Sequence, residues 1–160
     1  MSSNVSPVPA GFHTVTPYLT INGAAAAIEF YQRAFGAVER FRMLGPDGKS
    51  VGHAEIKIGD SIIMLADESP YGKSPKTLGG SPVSIVLYVE DVDSFFQKAV
   101  EAGVTIMRPL QDQFYGDRSA TVIDPFGHCW HLMTHKENVS PAEMDKRLAA
   151  FYAKMAAEKK

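Results

Sequence analysis

The 160-residue sequence predicts an α+β fold of two tandem βαβββ modules, with one more helix at the C-terminus. Three observations predict it. A strand, a helix and three further strands follow one another twice along the chain. The two halves echo each other locally, with Phe30-Tyr31-Gln32-Arg33-Ala34 answered by Phe95-Phe96-Gln97-Lys98-Ala99. A single unit of this size is too small to cover its own sheet, so two of them should share a core. The expected divisions are a first module over 12–68, a linker loop over 69–81, a second module over 82–138 and a helical tail over 139–160.

In the first module, Thr14–Ile21 is an apolar, strand-like run. A helix follows, with Asn22 placed to cap it and Gly36 to end it. Ala24, Ala27, Ile28, Tyr31 and Phe35 fall on one face at spacings of three and four, while Glu29, Gln32 and Arg33 face away. Ala37–Leu44, Val51–Ile58 and Ser61–Ala66 read as strands, separated by the turns Gly45-Pro46-Asp47-Gly48 and Gly59-Asp60. The stretch Asp67–Pro82, rich in Ser, Pro, Gly and Lys, is expected to be the mobile linker.

The second module repeats the plan. Val83–Val89 is a β-branched run, and Asp91 caps a helix whose apolar face is Val92, Phe95, Phe96, Ala99 and Val100, ended by Gly103. Val104–Pro109, Ser119–Ile123 and Cys129–Thr134 read as strands, the last two joined by Asp124-Pro125-Phe126-Gly127. In the tail, Ser140-Pro141-Ala142-Glu143 offers an N-cap, a proline at the first helical position and the Glu of a capping box. Met144, Leu148, Phe151 and Met155 then form a stripe that reads as a packing face against the body or a second subunit.

Composition narrows the function. Apolar residues make up 45% and charged residues 21%, which favours a packed core over disorder. Lys plus Arg is 16 against 18 for Asp plus Glu, so the net charge of −2 supplies no field for nucleic acid or an anionic membrane. The apolar runs Ala24–Ile28 and Ser61–Ala66 are far too short to span a bilayer. Met1–Gly11 is Ser/Pro-rich and reads as a loose leader, without the basic and apolar regions of a signal peptide. Cys129 is the only cysteine, which excludes an intrachain disulfide or a zinc finger. A cytoplasmic protein is expected.

Several stretches carry a resemblance. They are Thr16-Pro17-Tyr18-Leu19 with Ile28-Glu29-Phe30-Tyr31, Gly52-His53-Ala54-Glu55-Ile56 with Gly59-Asp60, Tyr115-Gly116-Asp117-Arg118, and Asp124-Pro125-Phe126-Gly127-His128 followed by Trp130. Together with the tandem plan they resemble the vicinal oxygen chelate superfamily, the fold of glyoxalases, bleomycin resistance proteins and extradiol dioxygenases, and within it the PhnB-like branch. The resemblance covers about residues 12–138. It implies that the modules form a curled mixed sheet with a ligand cup between them, a homodimer, and in the metal enzymes of the family four ligands at positions that correspond here to Thr16, Met64, Ser84 and His131.

Two hydroxyls and a thioether leave His131 as the one good ligand in that quartet, so no metal cofactor is expected there. A displaced divalent-metal site from His53, Glu55 and His131 is the alternative, since His53 and Glu55 are two apart on one strand and share a face. His131 is the candidate catalytic residue; a core histidine bonded to a hydroxyl such as Ser84 or Thr16 explains it equally well. Thr16, Tyr18, His53, Met64, Ser84, Tyr88, Tyr115, Arg118 and Met133 are the candidate ligand contacts, with Phe114 as a further aromatic of the lining. Arg118 either clamps an anionic ligand or pairs internally with Asp117 or Asp124. Trp130 is expected to be a buried anchor and Cys129 an inward-facing, inert thiol. The function expected is sequestration of a small, partly apolar or aromatic molecule, as in bleomycin resistance proteins, with no nucleic acid and no membrane partner. A glyoxalase-type lyase or dioxygenase-type enzyme at the displaced site is the alternative.

Overall fold

Each module pairs its first strand with its last. In the computed structural model, which describes residues 5–158, the elements run β1 (Tyr18–Ile21), α1 (Ala24–Phe35), β2 (Val38–Leu44), β3 (Val51–Ile58), β4 (Ser61–Asp67), α2 (Pro75–Leu78), β5 (Ser84–Tyr88), α3 (Val92–Ala102), β6 (Thr105–Asp112), β7 (Asp117–Ile123), β8 (Cys129–His135) and α4 (Pro141–Glu158). The start of the Ser/Pro-rich leader, residues 1–4, lies outside the described residues. The strands form two four-stranded mixed sheets, ordered β1-β4-β3-β2 and β5-β8-β7-β6. In both, the first and last strands run parallel and the other pairs antiparallel. Tyr18 sits opposite Met64 in one sheet as Val86 sits opposite His131 in the other.

Strand alternation assigns the two faces of each sheet. Ala54, Ile56, Ile63 and Leu65 point from the first sheet to the helices, and Trp130, Leu132 and Val122 do so from the second; all are buried. The helices share one core. Phe35 of α1 stacks on Phe95 of α3 at 5.8 Å and lies 4.8 Å from the Trp130 ring, which also meets Tyr31 at 5.4 Å. Trp130 is fully buried, as an anchor should be.

Both outer strands, β2 and β6, break register. β6 extends to Asp112 instead of ending at Pro109, with irregularities on either side of Arg108. Pro109 has no N–H for the ladder and is tolerated because β6 is an edge strand. Asn22 does not cap α1. Gly23 holds that position, and the carboxylate of Asp67, from the end of β4, accepts the Gly23 and Ala24 N–H groups at 3.0 and 2.8 Å. The cap is thus tertiary, set by the neighbouring strand. Asp91 and Ser140 do cap their helices, through the N–H groups of Ser94 and Glu143. The carboxylate of Glu143 is turned to Arg147 at 2.9 Å.

The linker carries regular structure. It folds into α2, capped by a fully buried Ser74 whose N–H donates to Glu68 at 2.7 Å.

Candidate functional site

The faces turned away from α1 and α3 carry the candidate residues. On the second sheet, alternation brings Ser84, Val86 and Tyr88 of β5, Ser119 and Thr121 of β7, and Cys129, His131 and Met133 of β8 to this open face. Pairing lines up a row across four strands: Arg108 opposite Thr121, Thr121 opposite His131, His131 opposite Val86.

His131 is held from both sides. Its Nδ1 lies 3.0 Å from the Thr121 hydroxyl and its Nε2 3.0 Å from the Ser84 hydroxyl. A hydroxyl donates or accepts as needed, so the neutral ring is satisfied in either tautomer. Of its two expected hydroxyl partners, Ser84 is present and Thr16 is not: Thr16 donates to the His13 carbonyl at 3.0 Å, ahead of β1.

A hollow of about 430 Å³ lies over this row. Val86, Arg108, Thr121, His131 and Met133 form its floor, and Phe114, Tyr115 and Phe151 its walls. Phe151, from α4, meets Phe114 at 4.9 Å, and Tyr115 lies edge-on to Phe114 at 5.3 Å. The loop bearing Phe114 and Tyr115 turns at Gly116, whose φ of 100° suits glycine; a Cβ there would overlap the Glu137 carbonyl. A second hollow of about 610 Å³ runs between the free edges of β1 and β5, along Pro17–Thr20 and Ser81–Val86. Val86 borders both.

The other candidates divide. Tyr18, His53 and Met64 lie on the open face of the first sheet, where the Tyr18 hydroxyl is 3.2 Å from His53 Nδ1. His53 and Glu55 approach at 3.8 Å, and Arg40 bonds Glu55 at 3.3 Å. His131 is on the other sheet and does not join them: among the described residues no three His, Cys, Asp or Glu side chains gather closely enough to hold a metal. Arg118 leaves the site altogether. It alternates with Asp117 and Ser119, so it projects toward α3, and Asp93 of α3 and Asp112 at the end of β6 bind it at 2.8 and 3.1 Å and stabilise its charged form. Neither Asp117 nor Asp124 is its partner.

Tyr88 donates to the buried Asp117 at 3.0 Å, and that bond raises its phenol pKa. His135 lies 2.6 Å from the same carboxylate and 2.9 Å from Asn138 Oδ1; the Asn138 bond first, then Asp117, raise its pKa. Cys129 shares the face of His131, but burial, and then the charge of Asp124, push its thiol pKa up, away from a reactive thiolate.

The family quartet fails the test of its donors. Thr16 is turned to its own loop, Met64 offers only a thioether beside Tyr18, and Ser84 and His131 are bonded to each other. Such a set does not suit a divalent first-row metal. Sequence reasoning missed Arg108, Thr121 and the covering role of Phe151. The signal for Thr121 lay in the alternation of β7; Arg108 was hidden by the irregular pairing around Pro109.

Comparison with known proteins follows the same outline. The family model of the glyoxalase/bleomycin resistance protein/dioxygenase superfamily matches residues 11–132. An uncharacterized protein of Mycobacterium bovis is 45% identical, over 94% of this chain and 95% of its own. Among solved structures, TioX from Micromonospora sp. ML1 aligns with a TM-score of 0.62 at 25% identity, over 80% of this chain and 100% of its own. A PhnB protein from Bacillus cereus, described as a putative 3-demethylubiquinone-9 3-methyltransferase, aligns with a TM-score of 0.58 at 18% identity, over 76% and 99%; at that identity it shares the fold.

Proposed function

This chain belongs to the glyoxalase/bleomycin resistance protein/dioxygenase superfamily, and from that premise we propose that it binds a small, partly apolar or aromatic molecule over the second sheet without the family's metal. The observation that carries this reading is the setting of His131. Hydroxyls occupy both its ring nitrogens, and the hollow above it is walled by Phe114, Tyr115 and Phe151, with Met133 beside His131 on the floor. An apolar cavity with a few placed polar groups is the usual form of a small-molecule site. Sequestration of the bleomycin-resistance kind follows, with His131 as an orienting group.

A homodimer is part of the proposal. Phe41, Met43, Ile106, Met107, Tyr152 and Met155 leave apolar surface that a second copy would cover. So is a cytoplasmic setting, which suits a lone, unreactive Cys129. Among the described residues no helix is long and apolar enough to cross a membrane.

The test is to strip the full-length protein with a chelator, then titrate it with zinc, nickel, manganese and iron while screening aromatic compounds by thermal shift. The expected result is no tight, stoichiometric metal and an unchanged ligand-induced rise in Tm, since ligand at 100 times Kd adds about 2.7 kcal/mol. A rise that occurs only after metal is restored overturns the proposal.

A further inference from the structure

We propose that the hollow over the second sheet selects aromatic monoanions, aryl carboxylates in particular, with Arg108 receiving the anionic head. The inference rests on the reading of that hollow as a small-molecule site and names the ligand's class.

Charge decides it. No carboxylate lines the hollow, and Arg108 is the only Lys or Arg among its lining residues. Arg40, Arg42, Arg118 and Arg147 are each matched to Glu or Asp, whereas among the described residues no carboxylate pairs with Arg108. Its guanidinium therefore keeps its full set of donors for a ligand, in a fork that fits a carboxylate with two parallel bonds. A cationic ligand would find no carboxylate in the lining to pair with, and would face the charge of Arg108 instead.

Geometry supplies the rest. Arg108 and His131 lie in the same cross-strand row with Thr121 between them, two strand spacings or about 10 Å apart. That backbone interval leaves room for a two-ring aromatic to lie along the row. Such a ligand would lie across Thr121 with its rings against Phe114 and Phe151 and its far edge near His131. Phe114 and Phe151, in contact with each other, form one aromatic wall against which a ring can pack.

The experiment uses the chelator-treated full chain and calorimetric titration with 2-naphthoate, 2-naphthamide and 2-naphthylmethylamine. Naphthoate should bind one per chain, about tenfold or more tighter than the amide, with the amine weakest. Arg108→Gln should bring the naphthoate-to-amide ratio to about one, Arg108→Lys should retain part of the preference, and Phe151→Ala should weaken naphthoate binding. Equal affinity for naphthoate and amide, or a preference that survives Arg108→Gln, overturns the anion selectivity while leaving the binding site in place. No saturable binding of any of the three overturns both. Naphthoate binding unmoved by both Arg108→Gln and Phe151→Ala places the ligand elsewhere and overturns the assignment.

Discussion

Asp124 gathers four interior hydrogen bonds onto one carboxylate. It accepts from the Tyr31 hydroxyl at 2.7 Å, from Trp130 Nε1 at 2.9 Å, and from the N–H groups of Phe126 and His128 at 2.9 Å each. Because Tyr31 comes from the first module and the others from the second, the cluster is also a latch. Burial, and then the negative Asp124, push the Tyr31 phenol pKa well above its ordinary value of 10.0. The folded state therefore keeps Tyr31 neutral where the unfolded chain ionises. Its stabilisation is complete below pH 10 and is lost as the pH climbs beyond it. Tyr31→Phe is expected to cost about 1–2 kcal/mol at neutral pH and to remove this component of the alkaline loss. Urea unfolding across pH 7–11 measures both, and identical curves for the two proteins would contradict the assignment.

At the scale of elements, α4 decides whether the hollow has a roof. It is fixed near its start, where Arg147 grips Glu137 with two bonds of 2.8 Å and Glu143 with one of 2.9 Å, and Phe151 then reaches back to Phe114. Arg147→Ala should speed amide exchange across residues 141–158 by about tenfold or more, since a helix with few tertiary contacts opens locally, while β7 and β8 stay protected. Exchange unchanged in α4 would mean that Arg147 does not anchor it. The same helix shows what the sequence revealed and what it hid. Ser140 and Pro141 announced its start, because a cap acts within one turn. The stripe of Met144, Leu148, Phe151 and Met155 announced a face but not its neighbour, since periodicity says nothing about what lies opposite. The Asp67 cap of α1 was hidden for the same reason: its carboxylate is 44 residues from Gly23. In the linker, Ser74-Pro75 carried a readable cap and first turn, but the surrounding Gly and Ser masked it.

Taken as a whole, the molecule is two pseudo-equivalent modules whose helices share a core and whose sheets each leave one face open. That plan was legible because it repeats: the apolar periods of α1 and α3, the paired turns and the Asp124-Pro125-Phe126-Gly127 hairpin each specify local structure. The ligand face was only partly legible. The family resemblance placed Ser84 with His131, and period-two alternation puts Met133 on the same face as His131, but Arg118 fell on the far face and Arg108 was concealed by an irregular edge strand. The central claim is that this face, with its hydroxyl-held histidine, holds a flat organic ligand directly. Its most direct measurement is a crystal structure of the chelator-treated protein soaked with 2-naphthoate. The account predicts ring density over the second sheet against Phe114 and Phe151, with His131 still bonded to Ser84 and Thr121. A cation coordinated by His131, or naphthoate bound only away from β5–β8, would contradict it.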